Sequence, residues 1–394
     1  MADSRSLHML TTLTLLGRSP ADHNGSVSPP VERTSTRVFD TLPAIEKAHS
    51  TGRLSDFLGS STPDYLEDAV AKMEGEGAGA LITGTGMSAL SIVFLTVASA
   101  GSRILMPDTV FWPTRKMADG LLNRFGVRVD YYDPMIGAGI ADIIDDDTCL
   151  VLTESPGSNT FEVQDIPAIT QAAHAKGVPV AIDNSWATPL CFRPLDFGVD
   201  FSISALTKYL VGHSDVIIGS IAASPEWIEK LRNCANQMGD GVSADDASLA
   251  LRGMRTLGLR LAHHQKAGLE VARWLAEQPN VIQVLHPALE TCPGHAFWKR
   301  DFSGSTGLFA VLFRRMSRSE LEGFLERLKL FKLGYSWGGF ESLVLPFGDM
   351  PERQVTPWET EGTLIRVNVG LEEVGDLLND LDNALAPLRD VQPA

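Results

Sequence analysis

Lys208 stands in SALTKYLVGHSD, directly after the strand-like run VDFSIS, and Asp183 closes another such run, VPVAID. A lysine amine is a nucleophile or base only when deprotonated, and burial near a ligand lowers its pKa toward that state. A lone lysine at a strand end is otherwise a surface residue. A strand-end carboxylate can hydrogen-bond an aromatic ring N–H and keep it protonated; capping the next segment is the competing role for Asp183. TGTGMSAL follows AGALI and opens a helix, so Gly86, Met87 and also Gly84 can bring backbone N–H groups and a helix dipole to an anion. Many α/β proteins carry such a turn that binds nothing. Phe111 and Trp112 follow SRILMPDTV, where an aromatic can stack on a flat ligand or simply pack in the core. Thr207, beside the lysine, can reach an anionic oxygen. Arg366, inside GTLIRVNVG, needs a partner if buried: a substrate carboxylate held bidentately, or a structural ion pair.

A lysine for an aldehyde, an acid beside a pyridine nitrogen, N–H groups around a phosphate and a flat group on the ring are what pyridoxal 5'-phosphate (PLP) asks of a protein. Open α/β sheets gather ligands at the carboxyl ends of their strands. All four features should therefore follow strand-like runs, and in this sequence they do.

The elements that must position them are legible from Thr62 onward. TPDYLEDAVAKMEG begins with a capping residue and Pro and stops at Gly, a helix with its ends marked. Short apolar runs follow: AGALIT, SRILMP, VRVDYY, TCLVLT, VPVAID, VDFSIS and DVIIGSIA. Helical stretches such as TRKMADGLLNRF and IPAITQAAHAKG separate most of them. This alternation predicts an α/β domain, a mostly parallel sheet covered by helices on both faces. Beyond about residue 225 long helices take over: WIEKLRNCANQM, ASLALRGMRTLGLRLAHHQKAGLEVARWLAEQ and SRSELEGFLERL. GLFAVLFR, SLVLP and TLIRVNVG lie between or after them, which predicts a smaller α+β domain. Residues 1–60, rich in Ser, Thr, Pro and Gly with little helical period, read as an extended arm suited to lie on a neighbouring subunit, or as disorder. The expected division is 1–60 arm, 61–250 cofactor domain and 251–394 C-terminal domain.

Bulk properties narrow the function classes. A formal net charge of −16 over 394 residues argues against nucleic acid or an anionic membrane as partner. Cys149, Cys191, Cys234 and Cys292 are far apart with no ligand-like spacing, which argues against a disulfide framework or a metal site and fits a cytoplasmic setting. No run approaches the ~20 apolar residues of a membrane span.

Together these residues resemble the Cys/Met-metabolism family of PLP enzymes, fold-type I, and within it the bacterial cystathionine β-lyases. The resemblance runs from about Leu81 to the C-terminus through ESPGS (154–158), AIDNSWAT (181–188), TKYLVGHSD (207–215), RGMRTLGLRL (252–261), YSWGG (335–339) and GTLIRVNVGLE (362–372). It implies a seven-stranded sheet, PLP as cofactor and Lys208 as the Schiff-base lysine, with Asp183 as the pyridinium partner. Gly86, Met87 and Thr207 fall at the phosphate, Phe111 at the stacking position, Ser336, Trp337 and Arg366 at the substrate α-carboxylate, and Trp186 near the pocket. It also implies a homodimer or homotetramer with shared active sites.

Three departures stand out. The family's Tyr-x-Arg phosphate clamp is Ser55 and Phe57 here, with Arg53 close but out of register, and the stacking Tyr is Phe111. The expected reaction is β-elimination of a carbon–sulfur bond in a sulfur amino acid. The alternative is γ-elimination, γ-replacement or C–C bond formation on an activated homoserine, methionine or sulfonium substrate. A non-catalytic relative is opposed by the presence of Lys208, Asp183 and Arg366 together.

Overall fold

The computed structural model of the chain describes residues 7–50, 61–347, 353–358 and 360–389. Arg53, Ser55 and Phe57, where the phosphate clamp was looked for, lie outside the described residues.

Seven strands build the larger sheet: β1 (Gly79–Thr83), β2 (Arg103–Pro107), β3 (Arg128–Tyr132), β4 (Thr148–Glu154), β5 (Val180–Asp183), β6 (Phe201–Ser204) and β7 (Gly219–Ala223). Their spatial order is β1-β7-β6-β5-β4-β2-β3. Only β7 runs antiparallel to its neighbours; the pairs β2–β3, β2–β4, β4–β5 and β5–β6 are parallel. The strands point alternate side chains to two apolar layers, as a period of two requires. Leu150 and Leu152 enter one layer and Val151 the other. That double burial is why the strand sequences read as continuous apolar runs rather than alternating ones.

The smaller sheet adds β8 (Val281–Leu285), β9 (Leu308–Phe313), β10 (Lys332–Leu333), β11 (Leu343–Pro346) and β12 (Thr363–Asn368), in the order β10-β11-β12-β9-β8. Helices Leu257–Ala276, Arg318–Arg327 and Val374–Arg389 pack with it around a third apolar cluster. β8 and β10 were not anticipated. β8 is half exposed, so its sequence lacks the apolar run of a buried strand, and β10 has only two residues.

Two further differences have physical causes. The stretch expected as one long helix is two, Ala244–Met254 and Leu257–Ala276. The break falls where Gly253 lies against the backbone of Val211 and Leu210, too close for any Cβ. The N-terminal segment is also not simply extended. Met9–Leu15 is a helix that buries Leu13 and Leu16, and it crosses Leu257–Ala276 at Gly258, where a Cβ would collide with Leu10. Its helical period, Leu13 and Leu16 after Met9, is masked by threonines of weak helix propensity; tertiary packing decides it.

Candidate active site

Because β1, β2, β4, β5 and β6 run in one direction, the segments leaving their carboxyl ends converge on one rim of the sheet. A pocket there is lined by Phe111, Glu154, Asp183, Lys208, Trp337 and Arg366, among others. Residues as far apart in sequence as Phe111 and Arg366 come within one cavity wall only because the C-terminal sheet leans over this rim.

Lys208 follows β6 on a tight turn. Its Nζ donates to Ser336 Oγ at 3.0 Å and lies 5.1 Å from the centre of the Trp337 ring. Burial lowers its pKa to about 8, with the positive charge of Arg366 acting in the same sense and Asp183 opposing. Asp183 ends β5. Burial raises its pKa, against the Ser185 hydroxyl, the Ser185 N–H donated at 3.0 Å, and the charge of Lys208. Ser185 is itself held, its Oγ accepting from Ala205 N at 2.7 Å.

At the end of β1 the helix Gly86–Val97 begins with Thr85 as its cap, Oγ1 accepting from Ser88 N at 2.8 Å. The N–H groups of Gly86 and Met87 have no acceptor among the described residues, as the first turn of a helix leaves them. A Cβ on Gly86 would stand 2.9 Å from Ala205 Cβ, so only glycine lets this turn approach the Lys208 loop so closely. Gly84 N–H, the third member expected of this cradle, is engaged by Asp240, whose carboxylate also accepts from Ser88 Oγ at 2.7 Å. Thr207 Oγ1 donates to Ile218 O at 3.0 Å and accepts from Ile218 N at 2.9 Å, so its hydroxyl is turned to the backbone leading into β7.

Phe111 caps the helix Trp112–Met117 and is 38% exposed, its ring open to the pocket and not packed in the core. Trp186 lines the same pocket, but its indole N–H donates to Leu308 O of β9 at 2.9 Å, which pins it to the smaller sheet. Arg366, on β12, is buried, and Nη2 donates to Tyr335 O at 2.5 Å and Ser336 O at 3.5 Å. It has no carboxylate partner among the described residues. Burial lowers its pKa to about 10, and it stays cationic.

Glu154, at the end of β4, had no assigned role in the sequence although ESPGS contains it. It faces Asp183 across the β4–β5 pairing, and its Oε2 accepts from Phe111 N at 2.7 Å. Burial pushes its pKa well above the carboxylate range, and the charge of Asp183 adds to the rise. Asp240 was likewise unassigned. Nothing local in either sequence marks them; only the strand register and the helix start bring them to the rim.

These residues fit a phosphorylated pyridine aldehyde. An amine drawn toward neutrality, an enclosed carboxylate, two free N–H groups at a glycine too tight for a side chain, and an exposed ring meet at one rim. Among the described residues no group of three or more His, Cys, Asp or Glu could hold a metal ion, and no helix is long and apolar enough to cross a membrane. All four cysteines are free.

Residues 11–386 match the family described as Cys/Met metabolism PLP-dependent enzyme. The chain is 42% identical to cystathionine beta-lyase MetC of Escherichia coli, over 98% of this chain and 99% of that one. It is 39% identical to an L-alanine/L-glutamate racemase of Wolbachia pipientis, over 95% and 96%. Among solved structures it is similar to cystathionine gamma synthase of Xanthomonas oryzae, with a TM-score of 0.86 and 29% identity over 97% of this chain and 98% of that chain. A match over nearly the whole length, with the fold and the rim geometry in agreement, places the chain in one family: it is a PLP-dependent, fold-type I enzyme of Cys/Met metabolism.

Proposed function

We propose that the chain cleaves the Cβ–S bond of a cysteine thioether by β-elimination. The observation that carries this reading is Lys208: an amine with a pKa near 8, between the carboxylate of Asp183 and the unpaired guanidinium of Arg366, at a strand end. In this reading Gly86 and Met87 N–H hold the cofactor phosphate, and Thr207 joins them by turning its hydroxyl away from Ile218. Phe111 covers one face of the ring. Asp183 keeps the ring nitrogen protonated, and bound PLP then supplies an electron sink for the substrate α-carbon. Arg366 and Ser336 grip the α-carboxylate, with Trp337 and Trp186 as walls that exclude water. With PLP bound, the Lys208 amine would stand beside the substrate Cα and take its proton. The thiolate leaves from Cβ and takes up a proton. The balance is R–S–CH2–CH(NH3+)–COO− + H2O giving R–SH, pyruvate and ammonium.

The same reading extends to the assembly and the setting. The domains are 61–250 and 251–394, supported by the two separate sheets, preceded by a 1–60 segment. The enzyme works in the cytoplasm as a homodimer or homotetramer whose subunits complete one another's sites.

Purified holoenzyme given cysteine thioethers, homoserine esters and alanine separates the reactions. Pyruvate with free thiol is expected, and Lys208→Ala should yield neither; borohydride reduction should fix the cofactor on Lys208. 2-Oxobutyrate from the homoserine ester without pyruvate from any thioether would replace the reading by the γ route. D-alanine alone would make it a racemase.

A further inference from the structure

Beside the Lys208 pocket, and sharing Phe111, Ser158, Asn159 and Arg366 with it, lies a second chamber of about 640 Å3. That volume is in the range that takes a small-molecule group. Most of its wall surface is apolar, from Val110, Trp112, Pro113, Tyr335, Leu345 and Phe347, while Thr109, Asn159 and Thr160 add polar groups. Trp112 is half exposed and carries the Lys116 ammonium 3.9 Å from its ring centre.

The charges at this chamber are arranged unevenly. Asp108 is neutralised by Arg115 at 2.8 Å and accepts N–H bonds from Gln354, Val355 and Thr356 at 2.7–3.1 Å. The wall residue Arg353 is paired with Glu162 at 2.5 Å. Asp108, the carboxylate of the wall among the described residues, is therefore already engaged, and in the reading above Arg366 is committed to the substrate α-carboxylate. A substrate group entering here meets flat apolar surface and no free carboxylate. A zwitterionic amino-acid head on that group would lose its hydration, and its ammonium would find no free carboxylate, a penalty a neutral ring does not incur.

Resting on the β-elimination reading above, we infer that this chamber receives the leaving thiol, and that the enzyme prefers cysteine conjugates of aromatic or apolar thiols. Cystathionine, whose leaving half ends in an amino-acid head with an ammonium, is the poorer substrate.

The test compares S-benzyl-L-cysteine, S-methyl-L-cysteine and L-cystathionine on the holoenzyme by pyruvate release. A kcat/KM for the benzyl compound about tenfold or more above cystathionine is expected, the scale on which an apolar pocket discriminates. Trp112→Ala and Phe347→Ala should lower the benzyl-to-methyl ratio by about tenfold, chiefly through KM. Equal or better turnover of cystathionine, or a ratio unmoved in both variants, overturns the inference. Binding of 2-amino-5-phenylpentanoate, in which CH2 replaces the sulfur, is followed through the cofactor's visible spectrum and needs no elimination. If no thioether yields pyruvate, yet this analogue binds tightly and Trp112→Ala weakens it about tenfold, the chamber stands and the β-elimination reading fails. If Trp112→Ala leaves its affinity unchanged, the chamber is not where that group goes.

Discussion

Glu154 carries a constraint in the pocket that the motif containing it, ESPGS, does not explain. Its carboxyl and that of Asp183 end neighbouring strands in register, and two enclosed carboxylates so placed do not both ionise. Asp183 has the Ser185 donors and the charge of Lys208 on its side. Glu154 has one backbone N–H and no cation among the described residues, so it is the one that stays protonated. Its work is then geometric: it fixes Phe111 by the N–H, and Phe111 is the ring platform. Glu154→Gln keeps that acceptor and the neutral charge, and should leave cofactor affinity within a few-fold of the parent. Glu154→Leu strips the acceptor from Phe111 N–H at a cost of about 1–3 kcal/mol, or roughly 5- to 150-fold in cofactor Kd. Equilibrium dialysis with PLP measures both, and a Gln variant as weak as the Leu variant would show that the charge matters and not the bond. At this scale the sequence was a good guide to Lys208, Asp183 and Arg366, because each sits at or in an apolar run where an ionisable group calls for a reason. It was silent on Glu154 and Asp240, whose meaning depends on which strand or helix stands beside them.

Among the elements, the helix Thr62–Glu74 shows how a charge can be hidden in a packing contact. Its Pro and terminal Gly were readable directly, but Thr62 stands inside the helix with its hydroxyl bonded to Pro30 O and Glu32 N instead of capping it, and its last residue reads as an ordinary solvent-facing acid. In the fold Glu74 is 1% exposed, and its side chain accepts from Ser202 Oγ of β6 at 2.7 Å. Burial raises its pKa to about 7, with Asp196 adding and Ser202 opposing. The native chain therefore holds a proton there that the unfolded chain, with a carboxyl near 4.5, has released. Stability should fall as pH rises from 4.5 through 7, by on the order of 3 kcal/mol from this group, and level off above. Glu74→Gln should remove that slope and melt higher than the parent at pH 8; thermal melts at pH 5, 6, 7 and 8 decide it. A parent and variant with parallel pH profiles would mean that Glu74 is ionised in place. The same logic explains what else the elements concealed. Buried parallel strands announce themselves by apolar runs, whereas β8, half in solvent, and the N-terminal helix, stabilised by a groove at Gly258, owe their existence to partners distant in sequence.

Across the whole molecule the question is what keeps the smaller sheet poised over the Lys208 rim, since Ser336, Trp337 and Arg366 reach the pocket only from there. Much of the answer is Arg260, in the helix Leu257–Ala276 that carries the chain from one sheet to the other. The stretch RGMRTLGLRL was legible as a family signature, yet nothing in it says why the last arginine is needed. Its guanidinium is buried. It donates to Tyr209 O at 2.6 Å, to Leu210 O at 3.1 Å and to Gly253 O at 2.8 Å, and Nε donates to Thr256 Oγ1 at 3.1 Å. One side chain thus ties the backbone just after Lys208 to the break between two C-terminal helices. Gly212, at φ +70, closes over it where a Cβ would strike the guanidinium. One turn further on, His264 bonds Val369 O beyond β12 at 2.9 Å, so the same helix also grips the sheet that bears Arg366. Arg260→Leu would leave the Tyr209 and Leu210 carbonyls without donors, at about 1–3 kcal/mol each, on the order of 3 kcal/mol in all. Urea unfolding of the cofactor-free protein should register that loss. Because the freed loop carries Lys208, PLP should also bind more weakly than the stability change alone accounts for, read as a smaller rise in melting temperature on adding saturating cofactor. Arg260→Lys, able to donate to only part of this set, should fall between. If the Leu variant lost under 1 kcal/mol and kept the full cofactor-induced shift, the tie between the two sheets would have to lie elsewhere.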